Sequence, residues 1–112
     1  MIQYIDADRK RGVIIVLFDV PNSTKSEAKD YRHFIKHLKK LGFLMFQESV
    51  YIKLVRNKRN NETEINYLNS IVPKNGSVSA LPLSLSEFSK IRTVLGQPFD
   101  LDLFAADIVV IE

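Results

Sequence analysis

Val13-Ile14-Ile15-Val16-Leu17-Phe18-Asp19, followed by Val20-Pro21-Asn22-Ser23-Thr24, decides the fold of this chain. Six apolar residues in a row predict a strand buried on both faces. Pro21 pushes Val20 towards an extended conformation, so the strand stops there. Thr24 with Glu27 three residues on forms a capping box, so a helix starts at once. Asp19 closes the strand, which is a poor place to leave a carboxylate. An ionised Asp there needs a backbone amide, a cation or a metal. From this segment alone, a turn cap or local amide is favoured over a metal or catalytic role.

Working outward, the first helix is predicted over Lys25 to Leu41, with Gly42 as its stop. Ala28, Tyr31, Phe34, Ile35, Leu38 and Leu41 recur at helical spacing and form its core face. Lys25, Lys29, Arg32, Lys36 and Lys40 form another face, widened by Lys39. The helix carries only Glu27 and Asp30 as acids, so few of these cations have an i,i+4 partner. A basic face left unneutralised points to phosphate contact, although a charge run is usually a solvated surface.

Phe43 to Val55 predicts two short antiparallel strands with Gln47-Glu48-Ser49 at the turn or bulge. One long bent strand is the competing reading. Arg56 to Asn61 is a polar loop that adds Arg56, Lys58 and Arg59. A second helix is expected over Glu62 to Val72, capped by Asn61 with Glu64 at the box position. Pro73 to Gly76 ends it. Ser77 to Leu83 reads as a strand that Pro82 confines to an edge or an end. Ser84 with Glu87 opens a short helix to Leu95, with Phe88, Ile91, Val94 and Leu95 on one side and Gly96 as its stop. Gln97 to Ala106 is a linker, and Asp107 to Glu112 reads as a closing apolar strand that pairs with its own sheet or with another protomer.

The order is β-α-β-β-α-β plus a short helix and a final strand, the α+β ferredoxin-like pattern. It divides into an extension over 1–12, a core over 13–95 and a C-terminal arm over 96–112. Both helices fall on one face of the sheet. The other face needs a cover, and a second copy is the economical one, so a homodimer is expected.

A chain of 112 residues, 46% apolar, is one domain with a modest core. It has no cysteine, so disulfides and thiolate metal sites are excluded. No apolar stretch predicts a signal peptide or a membrane span, and a cytoplasmic location is expected. Charge is asymmetric. Residues 1–60 hold 13 Lys and Arg against 6 Asp and Glu, whereas residues 61–112 hold 3 against 7. Such a split favours a polyanion on the first half.

No nucleophile motif, P-loop or dinucleotide fingerprint is present. His33 and His37 lie four apart but lack the glutamate of a zincin, and read as surface residues. Three stretches go further: Phe18-Asp19-Val20-Pro21; Tyr31-Arg32-His33-Phe34 with Leu38 and Leu41-Gly42-Phe43; and Gln47-Glu48-Ser49-Val50-Tyr51. Together they resemble the Cas-two family of small CRISPR-associated proteins, over about Val13 to Leu95. Gly42 to Tyr51 is the most specific run.

That resemblance implies a ferredoxin-like homodimer in which the aspartate ending the first strand, here Asp19, is catalytic and holds a divalent metal near the dimer axis. Magnesium suits oxygen ligands and phosphate. It implies metal-dependent endonuclease activity on DNA or RNA, and a role as the scaffold on which the Cas-one integrase holds new spacer DNA. Lys25, Lys29, Arg32, Lys36, Lys40, Arg56, Lys58 and Arg59 would contact nucleic acid. Ser49 and Tyr51 would neighbour the site by resemblance alone. Leu44, Met45 and Phe46 stand where some nuclease-active relatives have basic residues, which weakens the nuclease more than the scaffold. A ferredoxin-like RNA-binding regulator or toxin-type dimer outside CRISPR remains the alternative.

Overall fold

The computed structural model describes residues 11–109. Met1 to Lys10 of the extension and Val110 to Glu112 of the expected closing strand lie outside the described residues. Four strands form one antiparallel sheet: β1 (Gly12–Asp19), β2 (Leu44–Gln47), β3 (Val50–Val55) and β4 (Ser77–Ser84), in the order β2-β3-β1-β4. α1 (Lys25–Lys40) joins β1 to β2, and α2 (Asn61–Leu68) joins β3 to β4. This is the ferredoxin-like arrangement expected.

Local chemistry explains the boundaries. Thr24 and Glu27 form both halves of the capping box, with Glu27 N donating to Thr24 Oγ1 and Thr24 N donating to Glu27 Oε1, each at 3.1 Å. Gly42 ends α1 in the left-handed region at φ 96. Glu48 and Ser49 make a tight turn between β2 and β3, with a register shift at Met45/Gln47, so the single bent strand does not form. Pro82 sits within β4 opposite Ile14, and β4 is an edge strand, where a missing amide is tolerated.

α2 differs from expectation. It spans Asn61–Leu68 rather than 62–72, after a 3-10 turn over Lys58–Asn60. Asn61 is a buried first helical residue, and its neighbour Asn60 occupies the cap without a side-chain hydrogen bond. Glu64 pairs with Lys53 of β3 instead of closing a box.

Two clusters fill the two sides of the sheet. Ile14, Val16 and Phe18 of β1 pack with Phe34 and Leu38 of α1, Leu68 of α2 and Tyr51 of β3. Phe18 meets Phe34 edge-on at 5.1 Å between ring centroids. Val13 of β1 and Ile52 of β3 pack on the opposite face with Leu85, Phe88, Phe104 and Ala105.

That second cluster corrects the C-terminal reading twice. The short helix α3 is only Leu85–Phe88, and Ile91, Val94 and Leu95 point outward, with Val94 96% exposed. The expected linker and closing strand contain α4 (Leu101–Val109) instead. Asp100 starts it, its carboxylate accepting from Leu103 N at 2.9 Å. Leu101, Phe104 and Ala105 have the i, i+3, i+4 spacing of a helical face, and burying them on the sheet overrides the strand-like composition of 107–109. The arm therefore covers part of the face assigned to a second copy. Leu17 at 43%, Leu81 at 47% and Leu44 at 48% remain exposed.

Candidate functional site

Asp19 is the last residue of β1, exposed, and opposite Ser77 in the β1–β4 register. Alternation puts it on the arm side of the sheet, beyond the exposed Leu17. The flanking turns hold its backbone. Phe18 N donates to Ser49 O at 3.1 Å, and Ser49 itself adopts φ 64, uncommon for a residue with a Cβ. On the other side, the Asp19 carbonyl lies so close to Gly76 that a Cβ there would come within 2.5 Å of it.

The competing cap does not form. Thr24 and Glu27 cap α1, and among the described residues no hydrogen bond or ion pair engages the Asp19 carboxylate. No group of three or more His, Cys, Asp or Glu side chains able to hold a metal occurs among the described residues. What β1 offers at its end is the exposed Asp19 carboxylate. That donor fits magnesium, which keeps several waters and is bound through one or two carboxylates plus a phosphate; it does not fit an ion caged by protein.

Ser49 lies beside the end of β1, but Tyr51 does not come to the same surface. Its register partner is Val16, so its ring faces α1, packed 5.8 Å from Phe18. Burial, reinforced by Tyr31, pushes its hydroxyl above the ordinary tyrosine value. A buried phenol held protonated is a core residue. His33 and His37 are exposed, and His37 Nδ1 lies 2.7 Å from the His33 carbonyl oxygen.

Lys25, Lys29, Arg32, Lys36 and Lys40 are all exposed on α1. A groove of about 610 Å³ runs along this helix, lined by Tyr31, Arg32, Ile35, Lys36, Lys39 and Lys40. Its floor is apolar and its rim cationic. Arg56 and Arg59 are also exposed, and Lys58 lies in the 3-10 turn. These three follow β3, which ends opposite Gly12, at the far end of the sheet from Asp19. β1 and β2 run parallel, so α1 spans between the two ends, from Asp19 back towards that loop.

In the sequence, Gly76 reads only as part of the stop after the second helix. The signal was the Asn75-Gly76 turn before a strand, but its meaning needed the Asp19–Ser77 register.

Residues 13–91 match the family model for CRISPR associated protein Cas2. Among curated relatives, a protein of Streptococcus mutans serotype c (strain NN2025) is 37% identical over 84 residues, which are 75% of this chain and 78% of that protein. One from Ligilactobacillus salivarius is 34% identical over 84 residues, 75% of this chain and 83% of that protein. One from Treponema denticola matches at the same identity and coverage. All three are named CRISPR-associated endoribonuclease Cas2. The matched region is the four-stranded sheet with α1, α2 and α3, and it includes Asp19, the basic helix and the Glu48-Ser49 turn: the chain belongs to the CRISPR-associated Cas2 family.

Proposed function

We propose that this chain is a dimeric nucleic-acid-binding scaffold in CRISPR spacer acquisition, partnered by the Cas-one integrase, with magnesium-dependent endonuclease activity centred on Asp19. The observation that carries the scaffold reading is the row of exposed, largely unpaired cations along α1. Five side chains on one 16-residue helix face solvent together. Solvation alone does not call for such a one-sided row, whereas a phosphate backbone does. Family membership supports CRISPR over an unrelated RNA-binding dimer, and the name of the relatives supports RNA as one substrate.

The exposed Leu17 and Leu81 support a second copy on the part of the arm-side face that the arm leaves open. Asp19 borders that part, so a two-fold axis there brings two carboxylates together. A bound magnesium supplies an activated water and offsets charge on the phosphate. Asp19 holds and orients; Ser49 fixes the end of β1 through its carbonyl. Tyr51, buried in the core and held protonated, does not serve as a general base. The scaffold role needs none. The exposed apolar residues just before the arm, Val94 and Leu95, are candidate contacts for the integrase.

Fluorescence anisotropy with unrelated duplexes tests the scaffold. Affinities should be alike and should fall steeply with salt; a strong sequence preference contradicts it. Asp19→Asn tests the nuclease. It should fold, dimerise and assemble with the integrase as wild type while magnesium-dependent cleavage is lost. Cleavage at the wild-type rate removes the metal assignment.

A further inference from the structure

We propose that Gly76 is a positioning residue for Asp19: its missing Cβ lets the turn before β4 seat on the Asp19 backbone and fixes where the carboxylate points. This rests on the reading of Asp19 as the ion-binding carboxylate. Gly76 has φ 104, and an ideal Cβ on it would meet Asp19 O at 2.5 Å, Val20 Cα at 3.0 Å and Pro21 Cδ at 3.1 Å. Two of these three atoms are backbone, and the third belongs to the ring of Pro21. None is the end of a flexible side chain, so a Cβ can be fitted only by moving the end of β1 or the turn.

Any movement there reaches Asp19 directly. The Asp19–Ser77 pair is the last of the β1–β4 ladder, and Ser77 follows Gly76 in the chain. On the far side, β1 is held through Phe18 N and Ser49 O. Asp19 is thus clamped between two turns, and its carboxylate, which no neighbouring side chain restrains, takes its direction from the backbone. Gly96 supplies an internal control. It has nearly the same conformation, φ 103, yet nothing lies within 4 Å of its hypothetical Cβ. A side chain at Gly96 meets the left-handed strain alone; one at Gly76 meets the strain and the Asp19 backbone.

The experiment titrates manganese alone into the full chain and follows paramagnetic broadening of the Asp19 and Ser77 amide signals. Melting temperatures are recorded in parallel. Wild type should show saturable broadening at Asp19 that Asp19→Asn abolishes. Gly76→Ala should weaken manganese affinity by on the order of tenfold, as loss of an outer support to a metal ligand does. Gly96→Ala should lower the melting temperature without changing that affinity. Asn tolerates the left-handed region best among residues with a Cβ, so Gly76→Asn keeps the contact at less strain. It should show the same loss even if Gly76→Ala does not fold. Wild-type affinity in the folded Gly76 variants overturns the positioning role and leaves the Asp19 reading standing. Absence of Asp19-dependent broadening in wild type overturns that reading itself, and the positioning role with it.

Discussion

The two faces of the sheet are built from equally apolar strands and end differently. The helix face is sealed by α1 and α2, each in sequence contact with the strands it covers. The arm face is sealed only in part, by Phe88 and Phe99 packed on Phe46 and by Phe104 packed against both of them. Towards Asp19 it lies open, with Leu17 and Leu81 in solvent. The helix face therefore carries stability that one chain can supply by itself. The open part is where the proposed function places a second copy, and Asp19 lies at its edge.

The largest effect should come from the sealed face. Phe34 is 1% exposed and touches Phe18 edge-on. Phe34→Ala should cost about 3–5 kcal/mol in denaturant unfolding. Phe99, on the arm face, is half-buried, and Phe99→Ala should cost about 1–2 kcal/mol. Equal costs would show that the arm is as integral as α1.

Leu81→Glu sharpens the comparison without touching either cluster. Light scattering of wild type at micromolar concentration should give about twice the monomer mass, because so much apolar surface needs cover. The variant should scatter as a monomer with little change in unfolding energy. A variant that stays dimeric places the interface elsewhere. The smallest effect belongs to Tyr51. Its ionisation is raised in the folded chain above the ordinary 10.0. The unfolded chain loses its proton first, so this contribution is intact below pH 10 and fades as pH rises towards the folded value. Tyr51→Phe should flatten that alkaline decline in melting temperature.

The same contrast explains what could be read from residues alone. α1 was legible because Thr24, Glu27 and Gly42 are local signals with local causes. The ferredoxin-like order followed from apolar runs punctuated by Pro21, Gly42 and Gly76. The approach to the arm was not legible, because Ile91, Val94 and Leu95 mimic a helical face with no surface to bury it on. Asp107 to Ile111 resembles a strand in composition, whereas the burial of Leu101 and Phe104 against the sheet sets α4. Asp19 was found as a misplaced carboxylate. Tyr51 was placed near it by resemblance alone, whereas its register with Val16 turns it into the core. Gly76 needed the strand register, which no local pattern encodes.

The central claim is that the exposed cations of α1 hold nucleic acid independently of Asp19. Duplex binding by wild type, Asp19→Asn and the Lys29→Glu/Lys36→Glu double variant, measured across stepped salt, tests it most directly. The double variant should weaken binding to every sequence alike and reduce the salt slope by about two contacts, while Asp19→Asn binds as wild type. Unchanged affinity in the double variant would show α1 to be a solvated surface and contradict the account.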